Sequence, residues 1–112
     1  MAQAKEIYLS IVIPAYNEER RIGTTLLDID KYMEKQKYGY EILVVSDGST
    51  DKTVDVVQKY KQLVKNLEVI DNLENKGKGG VVRQGLLASR GKYRIFMDAD
   101  NSTAIDHIEK MW

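Results

Sequence analysis

A parallel α/β fold in the order βαβαβαβα is predicted by three observations. The most apolar segments are short, β-branched and continuous; the stretches between them repeat apolar residues at helical spacing; and polar turn residues cluster where the apolar segments end. Apolar runs without polar alternation belong to strands covered on both faces, and strands joined through helices run parallel with right-handed crossovers. With 112 residues, 43% apolar and 30% charged, the chain has the size and composition of one compact domain, residues 1–112.

The first strand is read over residues 7–13, Ile-Tyr-Leu-Ser-Ile-Val-Ile, and stops at Pro14, the one proline. Asn17, Glu18 and Glu19 suit a helix start, where acidic side chains complement exposed N–H groups. Ile22, Leu26, Ile29 and Met33 then recur on one helical face. Residues 37–39 break that pattern. Residues 41–46 form a second buried strand that ends at Asp47-Gly48-Ser49-Thr50-Asp51, and a second helix carries Val54, Val57, Tyr60 and Val64. A short strand at 67–70 leads into the polar stretch Asn75-Lys76-Gly77-Lys78-Gly79-Gly80. From there a third helix runs to Arg90, with Gly91 as its stop. Residues 93–97 make the fourth strand, ending in Asp98-Ala99-Asp100, and a fourth helix starts at Ala104 and carries His107 and Trp112.

Composition excludes several classes of function. Lys plus Arg and Asp plus Glu both total 17, so no overall field recommends nucleic acid or an anionic membrane as partner, and any anion site is local. Without cysteine there is no disulfide frame, thiolate metal site or thiol nucleophile, and the composition suits a reducing, cytoplasmic setting. No apolar stretch approaches the ~18 residues of a spanning helix, and the first residues lack the apolar core of a signal peptide.

Ligands of parallel sheets bind beyond the carboxyl ends of the strands. Four polar clusters converge there: Tyr16-Asn17-Glu18, Asp47-Gly48-Ser49, residues 76–80, and Asp98-Ala99-Asp100. In an extended segment Asp98 and Asp100 point the same way, so both carboxylates can face one ligand, as metal ligands or divided between metal and sugar hydroxyl; hard oxygens favour Mg²⁺ or Mn²⁺ over zinc. The bland alternative is a turn followed by a helix cap. Asp47 can accept a base N–H or a ribose hydroxyl, or it can open an Asx turn through Gly48, with Ser49, Thr50 and Asp51 as competing caps for the second helix. The glycine segment matches neither the dinucleotide fingerprint nor the P-loop, since Val82 stands at the third glycine of the first and Gly79 follows Lys78 where the second needs Ser or Thr. It remains a flexible backbone at a helix start carrying Lys76 and Lys78, suited to phosphate or simply solvated. The single histidine, His107, suits packing or solvent better than metal ligation.

The segments 10–19 (Ser-Ile-Val-Ile-Pro-Ala-Tyr-Asn-Glu-Glu), 47–51, 75–79 and 98–100 resemble, in order and spacing, the family 2 glycosyltransferases of the GT-A fold, with closest similarity to dolichyl- or polyprenyl-phosphate sugar transferases. The resemblance implies that Pro14, Ala15, Tyr16 and Glu18 form the opening loop around the nucleotide base. It implies that Asp47 contacts base or ribose, that Lys78 lies near base and diphosphate, and that Asp98 and Asp100 form the DxD motif, with Asp100 the direct metal ligand. The chain departs from many members in having Ser46-Asp47 where they carry two consecutive aspartates.

The implied function is sugar transfer from a UDP- or GDP-sugar, assisted by Mg²⁺ or Mn²⁺, to a lipid phosphate or saccharide acceptor. A hydroxyl acceptor needs a carboxylate base, and the chain offers only Asp106 and Glu109 before it stops; a phosphate acceptor is already ionised. The chain is therefore expected to be the N-terminal, donor-binding part of such an enzyme, inactive alone, from a parent at the cytoplasmic face of a membrane. Its fourth strand is expected at a sheet edge open to self-association. A nucleotidyltransferase-like enzyme and a non-catalytic nucleotide-binding module are the alternatives; the first normally carries a Gly- and Arg-rich signature where this chain has residues 14–18.

Overall fold

The structure is a computed structural model, and it describes residues 6–100 and residue 105. Seven elements follow in order: β1 (Leu9–Ala15), α1 (Ile22–Met33), β2 (Tyr40–Asp47), α2 (Thr53–Tyr60), β3 (Leu67–Asn72), α3 (Lys78–Ala88) and β4 (Tyr93–Phe96). The strands form one parallel sheet in the order β3-β2-β1-β4. The expected α/β architecture is present, and the fourth strand lies at the edge beside β1, as expected. The fourth helix, His107, Trp112, Asp106 and Glu109 lie outside the described residues.

Both faces of the sheet are covered because the central strands are apolar on both. Leu9, Ile11 and Ile13 of β1 and Ile42 and Val44 of β2 pack with Ile22, Leu26, Ile29 and Met33 of α1 and Val57 of α2. Val12, Leu43 and Val45 point the other way and receive Val81 of α3. Gly85 lets α3 sit close, since a Cβ there would lie 2.4 Å from Val12 Cγ1 and 3.0 Å from Val45 Cγ2. The chain thus winds outward from β1 through β2 to β3, then returns to pair β4 on the opposite side of β1. That reversal is the topological switch point, where open α/β sheets leave a crevice.

Strand ends shift by one or two residues from the expectation, and four of the boundary differences have a physical reason. The first strand continues through Pro14. Val12 C=O accepts from Met97 N–H at 2.9 Å, so Val12, and two residues later Pro14, face β4. The β1–β4 register ends at Val12↔Phe96, so the missing proline N–H interrupts no ladder. Helix α1 begins at Ile22 without a side-chain cap, because Asn17, Glu18 and Glu19 bind the neighbouring loop instead. Helix α2 ends at Tyr60. Val64 is buried just beyond it, where the Leu63 and Val64 N–H groups both donate to Tyr60 C=O, at 2.9 and 2.8 Å. Helix α3 ends at Ala88, and Gly91 is not its stop; a Cβ at Gly91 would lie 2.5 Å from Ser10 Oγ and 2.6 Å from Ser10 N, so close packing requires the glycine.

Candidate functional site

At the switch point, beyond the carboxyl ends of β1, β2 and β4, lies a cavity of about 540 Å³. Its wall contains the site residues the resemblance implied, Pro14, Ala15, Tyr16 and Glu18 from the end of β1, Asp47 closing β2, Lys78 opening α3, and Asp98 and Asp100 after β4, but not Lys76. Asn75, Gly77, Val81 and Ala99 complete it. Val81 carried no signal beyond helical periodicity, and Ala99 none beyond its place between two aspartates.

The opening loop is held by the loop after β2. Asn17, at a left-handed φ of 52°, uses its Oδ1 to accept the Thr50 N–H at 2.8 Å and the Asp51 N–H at 3.3 Å, while its own N–H donates to Ser49 Oγ at 3.1 Å. Glu18 N–H donates to Thr53 Oγ1 at 2.9 Å and Glu19 N–H to Asp51 Oδ2 at 3.2 Å. Among the competing caps of α2 it is Asp51 that accepts the Thr53 N–H, at 2.9 Å. Burial pushes the Asp51 carboxyl up, but the Thr53 hydroxyl and N–H and the Glu19 N–H outweigh it and hold the group below its ordinary range. Ser46, which replaces the first aspartate of the family pattern, is fully buried and donates to Ser49 Oγ at 2.9 Å. Its role is to shape the loop.

Asp47 is only 5% exposed, and its Oδ1 accepts the Lys76 N–H while its carbonyl accepts from Asn75 Nδ2 at 3.2 Å. Gly48, at φ 72°, allows this approach, since a Cβ there would lie 2.9 Å from Asn75 N. The carboxylate that faces the cavity therefore also pins the glycine segment. Gly77, at φ 80°, turns the chain into α3, and no side chain caps the helix start.

Lys78 Nζ lies 2.7 Å from Asp98 Oδ1 and 5.9 Å from the Phe96 ring centroid. Arg21 pairs with Glu18 and approaches Asp100 Oδ2 at 4.0 Å. Glu18 lines the cavity, and its Oε2 is buried with no hydrogen-bond partner among the described residues. Between the two aspartates, Ala99 is buried and its carbonyl accepts the Thr25 hydroxyl at 2.6 Å.

The electrostatics define what can enter. Four carboxylates (Glu18, Asp47, Asp98 and Asp100) and one ammonium, Lys78, line the cavity, so an anionic diphosphate needs an additional cation beside it. Among the described residues no group of three or more His, Cys, Asp or Glu could hold a metal ion. Asp98 and Asp100 nevertheless fit Mg²⁺ or Mn²⁺ of the kind whose shell is completed by substrate phosphates and water, which uses only one or two protein carboxylates.

Residues 10–112 match the glycosyl transferase family 2. The chain belongs to that family. This membership sets aside the nucleotidyltransferase-like alternative. Over 114 aligned positions the chain is 44% identical to the dolichyl-phosphate beta-glucosyltransferase of Saccharomyces cerevisiae, covering 96% of this chain and 34% of that protein. The Dictyostelium discoideum protein of the same description is 42% identical over 104 residues, covering 87% of this chain and 32% of that protein. The chain thus spans about a third of the length of the curated relatives it matches.

Two solved structures show the same architecture. Staphylococcus aureus TarS 1-349 in complex with UDP-GlcNAc superimposes with a TM-score of 0.77 at 28% identity, over 94% of this chain and 30% of that one. A mannosyltransferase from Pyrobaculum calidifontis in complex with GDP-Man and Mn²⁺ gives 0.72 at 26% identity, over 85% of this chain and 28% of that one. The expected GT-A fold class is met, with the sheet corresponding to part of that domain.

Proposed function

We propose that this family 2 chain is the donor-binding part of a glycosyltransferase that moves a sugar from a UDP- or GDP-sugar to a polyprenyl phosphate with the help of Mg²⁺ or Mn²⁺. The observation that carries the reading is the single cavity wall shared by Pro14, Ala15, Tyr16, Glu18, Asp47, Lys78, Asp98 and Asp100 at the switch point. Tyr16, half exposed at the rim, offers a ring face to a base. Glu18 and Asp47, both in the cavity wall, supply carboxylates suited to a base N–H and to ribose hydroxyls. Lys78 and the uncapped start of α3 meet the diphosphate.

Asp100, assisted by Asp98, would hold the divalent ion, which when bound supplies Lewis-acid stabilisation of the leaving diphosphate. Lys78 adds a fixed positive charge on the same leaving group, where negative charge develops as the sugar–phosphate bond breaks. An acceptor phosphate oxygen attacks the anomeric carbon from the opposite side. It arrives already ionised, so the chemistry requires no general base from these residues. The acceptor assignment is supported by the likeness to the dolichyl-phosphate beta-glucosyltransferases above. Among the described residues no helix is long and apolar enough to cross a membrane. The cysteine-free composition supports a setting on the cytoplasmic side.

Calorimetric titration of the chain with UDP, GDP, UDP-glucose and GDP-mannose, with and without Mn²⁺, tests the reading. One nucleotide class should bind more tightly with the ion, and Asp100→Asn should abolish that gain, because a neutral amide is a poor substitute ligand. Equal affinity with and without metal would sink the metal assignment, and no binding of any nucleotide would sink the donor site.

A further inference from the structure

Helix α1 buries Ile22, Leu26, Ile29 and Met33 against the sheet, and on the same buried stripe stands a polar residue, Thr25, only 1% exposed. A threonine within a helix ordinarily turns its hydroxyl back to the carbonyl one turn earlier, here that of Arg21. The Thr25 hydroxyl instead donates at 2.6 Å to the carbonyl of Ala99, 74 residues along the chain. That carbonyl separates Asp98 from Asp100.

The segment it holds lies outside the sheet. Pairing of β4 with β1 ends at Phe96, and the last ladder bond is Met97 N–H to Val12 C=O. Beyond it, the ion pairs of Asp98 with Lys78 and Asp100 with Arg21 join side chains that are 40% or more exposed, and exposed pairs fix geometry weakly. The Thr25–Ala99 bond is buried, and a lost partner there leaves a carbonyl without compensation.

We propose that Thr25 is a positioning residue for the metal-holding carboxylates, fixing the Ala99 peptide so that Asp98 and Asp100 present their oxygens to one ion. The inference rests on the donor-site reading above. It assigns Thr25 no contact with substrate or metal; its action is through the backbone between the two ligands. Ligand supports of this kind set metal affinity because a hard divalent ion tolerates little displacement of its oxygens.

The test measures Mn²⁺ binding to the 112-residue chain by electron paramagnetic resonance, at saturating UDP and again at saturating GDP, alongside nucleotide affinity without metal and thermal unfolding. Thr25→Val keeps the shape and removes the donor; it should weaken Mn²⁺ binding by roughly 10- to 100-fold, as loss of a ligand-supporting hydrogen bond does, while metal-free nucleotide affinity stays at the wild-type value. Thr25→Ser keeps the donor and loses a buried methyl, so it should retain wild-type Mn²⁺ affinity despite a lower melting temperature. Where Thr25→Val does not fold, Thr25→Ala removes the hydroxyl without setting a methyl against the carbonyl and takes its place. Wild-type Mn²⁺ affinity in the variants lacking the hydroxyl, or a loss in Thr25→Ser equal to theirs, overturns the proposal and leaves the donor site standing. Failure of the wild-type chain to bind Mn²⁺ with either nucleotide overturns both.

Discussion

Asp47 has two occupations. Its Oδ1 anchors the glycine segment through the Lys76 N–H, and the same carboxylate lines the cavity. Two substitutions separate them. Asp47→Ala removes both and should weaken nucleotide binding by about 1–3 kcal/mol, the range for losing a buried hydrogen-bonding group. Asp47→Asn preserves an acceptor for Lys76 but not the charge, and it should leave the melting temperature near wild type while still weakening nucleotide binding; calorimetry beside a thermal scan reads the difference. If Asp47→Asn binds nucleotide as the wild type does, Asp47 is an anchor of the loop alone. The candidate residues were legible in the sequence because each stands at or just past the carboxyl end of a strand, or at a helix start. Thr25 was not, since its partner at Ala99 is 74 residues away and no local pattern joins them. Nor was the role of Asn17, which looks like a turn residue and whose bonds to the second loop exist only once β1 and β2 are paired.

At the scale of elements, strand identities followed from continuous apolar runs, whereas boundaries depended on contacts the runs do not encode. Pro14 looks like a strand terminator until the side on which it lacks an N–H is known to be the side where β4 has ended. Helix α3 has a poorly developed apolar stripe, burying only Val81 and Gly85, and its seat on the sheet depends on the small residue. Gly85→Ala should improve intrinsic helix propensity yet destabilise the fold by about 1–3 kcal/mol through overpacking against Val12 and Val45. Chemical denaturation checks the sign, and a stabilised variant would refute the close seat. A second element-scale tie joins β1, β2 and the chain after α3: Ser10 Oγ donates to Glu41 Oε2 at 2.6 Å, the Arg90 N–H donates to the same oxygen at 2.6 Å, and the Gly91 N–H donates to Ser10 Oγ at 2.8 Å. Burial raises the Glu41 carboxyl, but the Ser10 hydroxyl and the Arg90 N–H and guanidinium outweigh it and place the group below its ordinary value of 4.5. A depressed folded value contributes stability that is complete above the unfolded value and lost as pH falls through the folded one. Melting temperature should therefore drop on acidification below about pH 5 more steeply in wild type than in Glu41→Gln; parallel curves would contradict the assignment.

At the scale of the whole molecule, the two sheet edges differ. The β3 edge carries exposed Glu68 and Asp71, charges of the kind that keep unpaired strands apart. The β4 edge carries Tyr93 and Phe96, 43% and 50% exposed, covered in part by the Lys92 and Lys78 ammonium groups at 5.7 and 5.9 Å from the ring centroids. Tyr93 and Met97 donate their N–H groups inward to Tyr8 and Val12, so the alternate groups, at Arg94 and Phe96, face outward. Backbone donors and apolar rings on one edge make a template for a second strand. The 112-residue chain should consequently self-associate through β4, seen as a rise in weight-average mass across a concentration series in light scattering. Phe96→Pro removes one outward N–H and one exposed ring without touching an inward bond, since proline is accepted on the open side of an edge strand, and should return the chain to monomer with its circular dichroism spectrum intact. A wild-type chain that stays monomeric at every concentration, or a Phe96→Pro chain that associates equally, would show that the lysines over Tyr93 and Phe96 already suffice to close this edge.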